Sequence, residues 1–136
     1  MMGTMSFDPQ AIFANLTEQE KIKGHHSPEG RAIRTLSRAL NGWSTNNLSA
    51  RDVLVLCDQA VEDWLKARLR ISAWSARTLP ELTTTAVDKN LITRLDTVRL
   101  QRLHNMRARS RDEQGLTAQE VNTALEFCIQ LVEKHW

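Results

Sequence analysis

The sequence predicts an all-α fold, on three observations. Only five glycines and three prolines interrupt its 136 residues. Apolar residues recur at three- and four-residue spacing in several segments, and no run of alternating β-branched residues is present. Helix-capping residues precede several of those segments. We therefore expect an up-and-down bundle of four main helices plus an N-terminal helical arm. The arm is assigned to residues 1–27 and the bundle domain to residues 28–136, a length that suits one hydrophobic core.

The first two helices are predicted by their end signals. Asp8 can cap a short helix that Gly24 ends, and its few apolar residues make it an arm packed on the bundle. Ser27 can cap the second helix, with Asn41 and Gly42 as its stop. The apolar face of this second helix consists of Ile33, Leu36 and Leu40.

The third helix has the longest signal in the chain. Ser49 and Asp52 form a capping pair at its start. The stripe that should face the core consists of Val53, Leu56, Cys57, Ala60, Trp64 and Leu65. Thr78 and Glu81 are placed as a further capping pair, opening a short helix that its three threonines weaken.

The fifth and last helices flank a basic turn. The predicted buried side of the fifth helix consists of Leu91, Leu95, Val98 and Met106, with Ile92 and Leu103 beside them. Arg102 falls inside that stripe, with Arg99 beside it. Thr117 and Glu120 form a capping box for the last helix. Its buried stripe is predicted to be Val121, Leu125, Cys128 and Val132.

Composition excludes several classes of protein. No apolar stretch approaches the roughly 20 residues that span a bilayer, and no secretory signal is visible, so we expect a cytoplasmic protein with no membrane contact. Cys57 and Cys128 lack metal-ligand spacing and should be reduced core residues, with a disulfide between them as the alternative. His25 and His26 lie side by side in a loop, where we expect no carboxylate or thiol ligands to complete a metal site. We expect no metal and no cofactor.

The candidate site is the basic turn after the fifth helix. A net charge of +2 does not by itself imply nucleic acid, but Arg107, Arg109 and Arg111 cluster where that helix should end. A phosphate there would meet guanidinium groups and the N–H groups of the next helix. The alternative is a solvated helix end, where cations are favoured anyway. Arg99 and Arg102 either line a polar groove or dimer seam, or pair with a carboxylate such as Glu62 or Asp63.

Residues 48–134 resemble the HEPN domain, a nucleotide-binding helical family of prokaryotes and eukaryotes. The resemblance rests on "LVLCDQAVEDWLKARL" and on "TLPEL…AVDKNLITRLDTVRLQRLHNMRARSRD…LTAQEVNTALEFCIQLV". It implies a helical bundle that usually dimerises. Many HEPN domains are metal-independent RNases of toxin–antitoxin, CRISPR and phage-defence systems, whereas others are inactive binding or scaffold modules.

The sequence departs from the family's RNase motif, which is an arginine, a polar residue, and a histidine four to six residues after the arginine. Arg107 matches the arginine, but Ala108 replaces the polar residue and Asp112 stands where the histidine should be. An ionised Asp112 would repel phosphate unless its pKa were strongly raised. The resemblance therefore implies the fold and the dimer more than it implies a nuclease.

Three hypotheses for the function follow. The first is a nuclease-inactive HEPN-like homodimer that contacts RNA, a nucleotide phosphate or a partner protein, in a prokaryotic defence or toxin–antitoxin system. Its binding residues would be Arg107, Arg109 and Arg111, then Arg99 and Arg102. The second is a metal-independent RNase toxin with a degenerate motif, using Arg107 with Asp112 or His104. The third is a purely structural protein-interaction module. Whether the protein is an enzyme stays open, although the missing histidine favours no activity.

Overall fold

The computed structural model describes residues 8–109, with only the backbone of Arg109, and residues 116–135. This part of the chain is all-helical, without a strand. Its six helices are α1 (Pro9–Lys23), α2 (Pro28–Ser44), α3 (Ala50–Arg68), α4 (Leu79–Asp88), α5 (Arg94–Arg109) and α6 (Ala118–Glu133). The all-α prediction is confirmed.

Most predicted helix starts are confirmed by capping hydrogen bonds. The side chains of Asp8, Ser27 and Ser49 accept from backbone N–H groups of α1, α2 and α3. Thr117 and Glu120 form a reciprocal capping box at α6. The capping pair predicted at Thr78 is wrong, because Thr78 occupies the N-cap position of α4 without a side-chain hydrogen bond. Pro80 follows two residues later, and it removes one of the two N–H groups that such a cap can bind.

The core is centred on α2, α3 and α6 and includes buried residues of α4 and α5. The predicted stripes of α2 and α6 are buried, as is that of α3 except for one residue. Trp64 is fully buried in α3, as are Leu36 of α2 and Leu125 of α6. Within the stripe of α3, Leu56 is only partly buried. The helix α1 packs on α2 and contributes Leu16, which is fully buried, to the same core.

The predicted stop of α2 at Asn41 and Gly42 is wrong, because the helix continues to Ser44. Gly42 is buried inside the helix, and a Cβ at this position would lie 2.3 Å from Cδ1 of Leu48. Glycine is thus needed here for the close approach of Leu48 rather than as a helix terminator. The backbone reverses at Asn46, which has a φ of 59°.

The predicted buried side of α5 is also wrong in part. Leu95 and Val98 are 57% and 59% exposed, and Arg102 is exposed rather than inside an apolar stripe. Of the residues predicted for this side, Ile92, Leu103 and Met106 are buried, and Asp96 and Leu100 are buried with them. Because polar residues are interspersed throughout α5, the sequence allowed two faces, and the polar Asp96 hid the correct one. Asp96 is satisfied by a reciprocal pair of hydrogen bonds with Thr93 at the start of the helix.

Polar contacts also tie the helices together. The Trp43 indole N–H donates to Oδ1 of Asn122 across a buried 2.6 Å contact between α2 and α6. Glu20, near the end of α1, lies 2.7 Å from Nδ1 of His25 and 3.2 Å from Nε of Arg34 in α2. Burial raises the pKa of Glu20, but the hydrogen bonds with His25 and Arg34 outweigh it, so that the pKa lies below its ordinary value of 4.5.

Within the described ranges, no helix has both the length and the apolar character that crossing a bilayer requires.

Candidate functional site

The centre of the candidate site is an ion pair between Arg107 of α5 and Asp58 of α3. Nη1 of Arg107 donates to Oδ2 of Asp58. The Asp58 side chain is only 2% exposed, whereas that of Arg107 is 40% exposed. A buried carboxylate needs a charged partner to offset its lost hydration. The pair therefore fixes the guanidinium at the surface while its counter-charge lies in the core.

His104 lies beside this ion pair, one turn before Arg107 on the same helix. Its Nδ1 is 3.8 Å from Oδ2 of Asp58, which is too long for a hydrogen bond. The His104 side chain is 42% exposed, although Nδ1 is buried and finds no hydrogen-bond acceptor or donor within the described residues. The imidazole thus stands at the edge of the pair with its other side toward solvent. We call Asp58, His104 and Arg107 the α3–α5 cluster.

Asp58 is the residue of this cluster that the sequence interpretation missed. It lies on a second buried stripe of α3, with Leu54, Val61 and Leu65. One oxygen, Oδ1, is buried without a hydrogen bond in the described part of the protein. An acidic residue inside an apolar helical pattern is the signal that could have identified it, because such a residue requires a cationic partner.

Arg99 and Arg102 lie elsewhere, in a groove between α5 and α6 with a volume of about 610 Å³. The guanidinium of Arg99 lies over the Phe127 ring, 5.6 Å from its centroid, as in a cation–π contact. The carboxylates suggested as partners are bound to other side chains. Glu62 pairs with Lys66 at 3.2 Å, and Asp63 accepts a hydrogen bond from Gln59 at 3.0 Å.

The predicted arginines therefore do not form a single site within the described residues. Five helical positions separate Arg102 from Arg107, which turns their side chains about 140° apart around the helix axis. Arg107 faces α3, and Arg102 lines the groove toward α6. The side chain of Arg109, and all of Arg111 and Asp112, lie outside the described residues.

The two cysteines are free, buried and adjacent, as expected for reduced core residues. A hydrogen bond with Cys57 and then burial raise the pKa of the Cys128 thiol well above its ordinary value. The thiol therefore stays protonated and is a poor nucleophile. Across residues 8–109 and 116–135, no three His, Cys, Asp or Glu side chains are grouped so that they could hold a metal ion.

Comparisons with known proteins find no matching family model, no matching curated protein and no matching solved structure. The HEPN resemblance stays a prediction.

Proposed function

We propose that this chain is a HEPN-like module that binds single-stranded RNA through a phosphate contact at the α3–α5 cluster, without cleaving it. The observation that carries the proposal is the half-exposed Arg107 guanidinium, which is oriented by the buried carboxylate of Asp58. Arginine offers forked donors that suit phosphate oxygens, and an arginine that is already oriented loses less conformational entropy on binding.

We include further arginines in the proposed RNA contact, because Arg107 is already paired with a carboxylate. Asp58 neutralises Arg107, so the pair alone contributes little net attraction for an anion. The sequence places Arg109 and Arg111 within four residues of Arg107, and the proposal assigns them further phosphate contacts as guanidinium donors. Asp112 and Glu113 follow directly and offset their charge, so these contacts would depend on the positions of the arginines and not on a net positive charge. Arg99 and Arg102 would contact a more distant part of the strand.

Binding is favoured over cleavage by the position of His104. RNA cleavage through the 2′-oxygen needs proton transfer by a correctly oriented group that titrates near neutral pH. His104 is 3.8 Å from Asp58, so no hydrogen bond to that carboxylate orients its ring. His104 is also the one histidine that the described residues place beside Arg107. A single unoriented imidazole is a weak basis for acid–base catalysis.

A metal-independent ribonuclease is the second candidate, because the α3–α5 cluster holds an imidazole, a carboxylate and a guanidinium together. A histidine near a carboxylate can act as a general base, and a guanidinium can stabilise the charge that develops on phosphate. The proposed homodimer would bring two such clusters into one assembly.

For the HEPN-like module we also propose an up-and-down arrangement of four main helices and a cytoplasmic location.

The test is an assay of retention and cleavage of labelled single-stranded RNA in the presence of EDTA. The variants are His104→Gln and the double variant Asp58→Leu/Arg107→Met, which removes both charges of the pair and so leaves no buried carboxylate unpaired. Arg38→Met removes an exposed arginine of α2 and is the matched control.

Retention without cleavage, weakened in the double variant and unchanged in Arg38→Met, is the expected result. Cleavage that disappears in His104→Gln while retention persists would establish the ribonuclease instead. Equal retention by the wild type and the double variant would reject the α3–α5 cluster as the RNA contact. A protein partner would then be the remaining candidate ligand of this cluster.

A further inference from the structure

The loop between α3 and α4 presents a tryptophan to solvent. Trp74 is 95% exposed, and it lies in residues 69–78, which we call the Trp74 loop. The other tryptophans of the described residues are different, since Trp43 is 9% exposed and Trp64 is fully buried. A single exposed aromatic residue is not unusual in itself. The backbone and the charges around Trp74 are what distinguish it.

The Trp74 loop is held in place by a buried lysine. The ammonium of Lys66, a residue only 6% exposed, donates to the carbonyl oxygens of Ala73 at 3.5 Å and Ser75 at 3.0 Å. These two carbonyls flank Trp74 on either side. The Trp74 backbone N–H also donates to Oγ of Ser72 at 3.2 Å. The peptide that carries the indole is thus fixed before any ligand arrives, which lowers the entropic cost of binding through it.

The surroundings of the Trp74 loop are basic. Residues 66–78 contain one lysine and three arginines and no acidic residue, in a chain whose net charge is only +2. Lys66 is buried and Arg68 lies 3.7 Å from Glu29, but Arg70 and Arg77 are exposed on the loop itself. Arg31 of α2 lines a cavity of about 190 Å³ together with Trp74.

One carboxylate also lines this cavity, that of Asp63. This carboxylate accepts a hydrogen bond at 3.0 Å from the side-chain amide of Gln59, one turn earlier in α3. The charged residues that line the cavity with Trp74 are thus Arg31, Lys66 and Asp63, of which Lys66 is already paired with Glu62 at 3.2 Å, and the other lining residues are apolar. Arg70 and Arg77 add exposed positive charge elsewhere on the loop. These exposed arginines favour a partner that carries negative charge over a purely apolar surface, because a purely apolar surface would leave the arginines unhydrated and unpaired.

We propose that the Trp74 loop is a binding site for single-stranded nucleic acid, with a base stacked on Trp74 and phosphates on Arg31, Arg70 and Arg77. A planar apolar face beside positive charge matches a nucleotide, whose base has a π-face and whose backbone is anionic. A duplex keeps its bases stacked on each other, so a single strand is the form that offers a base to the indole. The site shares no residue with the α3–α5 cluster and does not depend on the function proposed there.

The test measures the affinity of the whole chain for fluorescent single-stranded oligonucleotides of about 10 residues, a length that covers a typical site. One arm uses oligouridylate and the other uses oligothymidylate DNA. Trp74→Ala should weaken binding about 5- to 150-fold, the range given by the loss of one stacked base. Trp74→Phe should retain part of the affinity. The matched control is Ile22→Ala, which truncates another exposed apolar residue, 63% exposed on α1.

Arg70→Ala and Arg77→Ala should each lower the slope of affinity against salt concentration by about one. Equal affinity for the two oligonucleotides would assign recognition to base and phosphate, whereas tighter binding of RNA would add a contact with the 2′-hydroxyl. Both of these results support the site.

Three results would overturn the proposal. They are unchanged affinity in Trp74→Ala, an equal loss in Ile22→Ala, or displacement of the oligonucleotide by polyglutamate at the same charge concentration. The variant Asp58→Leu/Arg107→Met separates the two sites. If it alone abolishes binding, the function proposed at the α3–α5 cluster stands and the Trp74 site fails. If Trp74→Ala alone does so, the reverse holds.

Discussion

The ion pair between Asp58 and Arg107 predicts that its two members contribute unequally to stability. Arg107→Met leaves the 2%-exposed carboxylate of Asp58 in the core without its cationic partner. Removing one partner of a buried pair costs about 3–5 kcal/mol, because the remaining charge is uncompensated. Asp58→Leu leaves a guanidinium whose side chain is already 40% exposed, so that water can hydrate it. We expect that change to cost about 1 kcal/mol or less, as for a pair at the surface.

The double variant shows whether the loss of stability comes from the unpaired carboxylate or from any substitution at these two positions. Leucine has the branching of aspartate, and methionine keeps the unbranched stem of arginine, so both substitutions approximately preserve packing. With neither charge present, Asp58→Leu/Arg107→Met should be markedly more stable than Arg107→Met alone. Arg102→Met, which removes an exposed arginine of the same helix, should change stability by less than about 0.5 kcal/mol.

Urea unfolding followed by the helical circular dichroism signal measures these differences. With an m-value of about 2 kcal/mol/M, a loss of about 3–5 kcal/mol lowers the midpoint by about 1.5–2.5 M. The reasoning would be refuted if Asp58→Leu cost as much as Arg107→Met, or if the costs of the two substitutions simply added in the double variant.

Three further predictions concern the scaffold. Asn122→Ala should lower the free energy of unfolding by about 1–3 kcal/mol, since the buried Trp43 indole N–H loses its acceptor, and a denaturation curve matching the wild type would contradict this. Gly42→Ala should cost about 1–3 kcal/mol despite the better helix propensity of alanine, because its Cβ would meet Leu48, and an increase in melting temperature would contradict the packing argument. Glu20→Gln should destabilise the protein near neutral pH. The folded-state pKa of Glu20 is lowered, so its contribution is present above the ordinary value of 4.5 and is lost as the pH falls through the lowered pKa. Unfolding curves of wild type and Glu20→Gln should therefore converge in acid, and a constant difference would count against the prediction.

Much of the scaffold could be predicted from local sequence signals. Capping residues such as Ser27 and Thr117 satisfy N–H groups within three residues of themselves, so their effect is visible in sequence. The stripes of α3 and α6 are continuous and apolar, and their burial follows from periodicity alone. The buried side of α5 could not be assigned in this way. The side with Leu95 and Val98 is the more apolar in sequence but is exposed, whereas the buried side contains the polar Asp96. Only packing against neighbouring helices determines which side of α5 is buried.

The candidate site was predictable only in part, for a similar reason. The sequence drew attention to Arg107 as one of several clustered arginines, but its partner Asp58 lies 49 residues earlier and belongs to another helix. The spacing of three residues between His104 and Arg107 placed both on one side of α5, yet nothing in that helix shows which carboxylate they face. The Trp74 loop depends likewise on hydrogen bonds from Lys66 to the carbonyl groups of Ala73 and Ser75, which no local motif encodes.

The salt dependence of RNA binding tests the central claim most directly. The affinity of a labelled single-stranded RNA is measured over a series of salt concentrations for wild type, Asp58→Leu/Arg107→Met and Arg38→Met. If Arg107 contacts a phosphate, the double variant binds more weakly because the guanidinium contact is lost, while Arg38→Met follows the wild type. The slope of log affinity against log salt falls by less than one in the double variant, because one charge of each sign is removed. A double variant with the affinity and slope of the wild type would contradict the claim, and would leave the Asp58–Arg107 pair as a structural contact between α3 and α5.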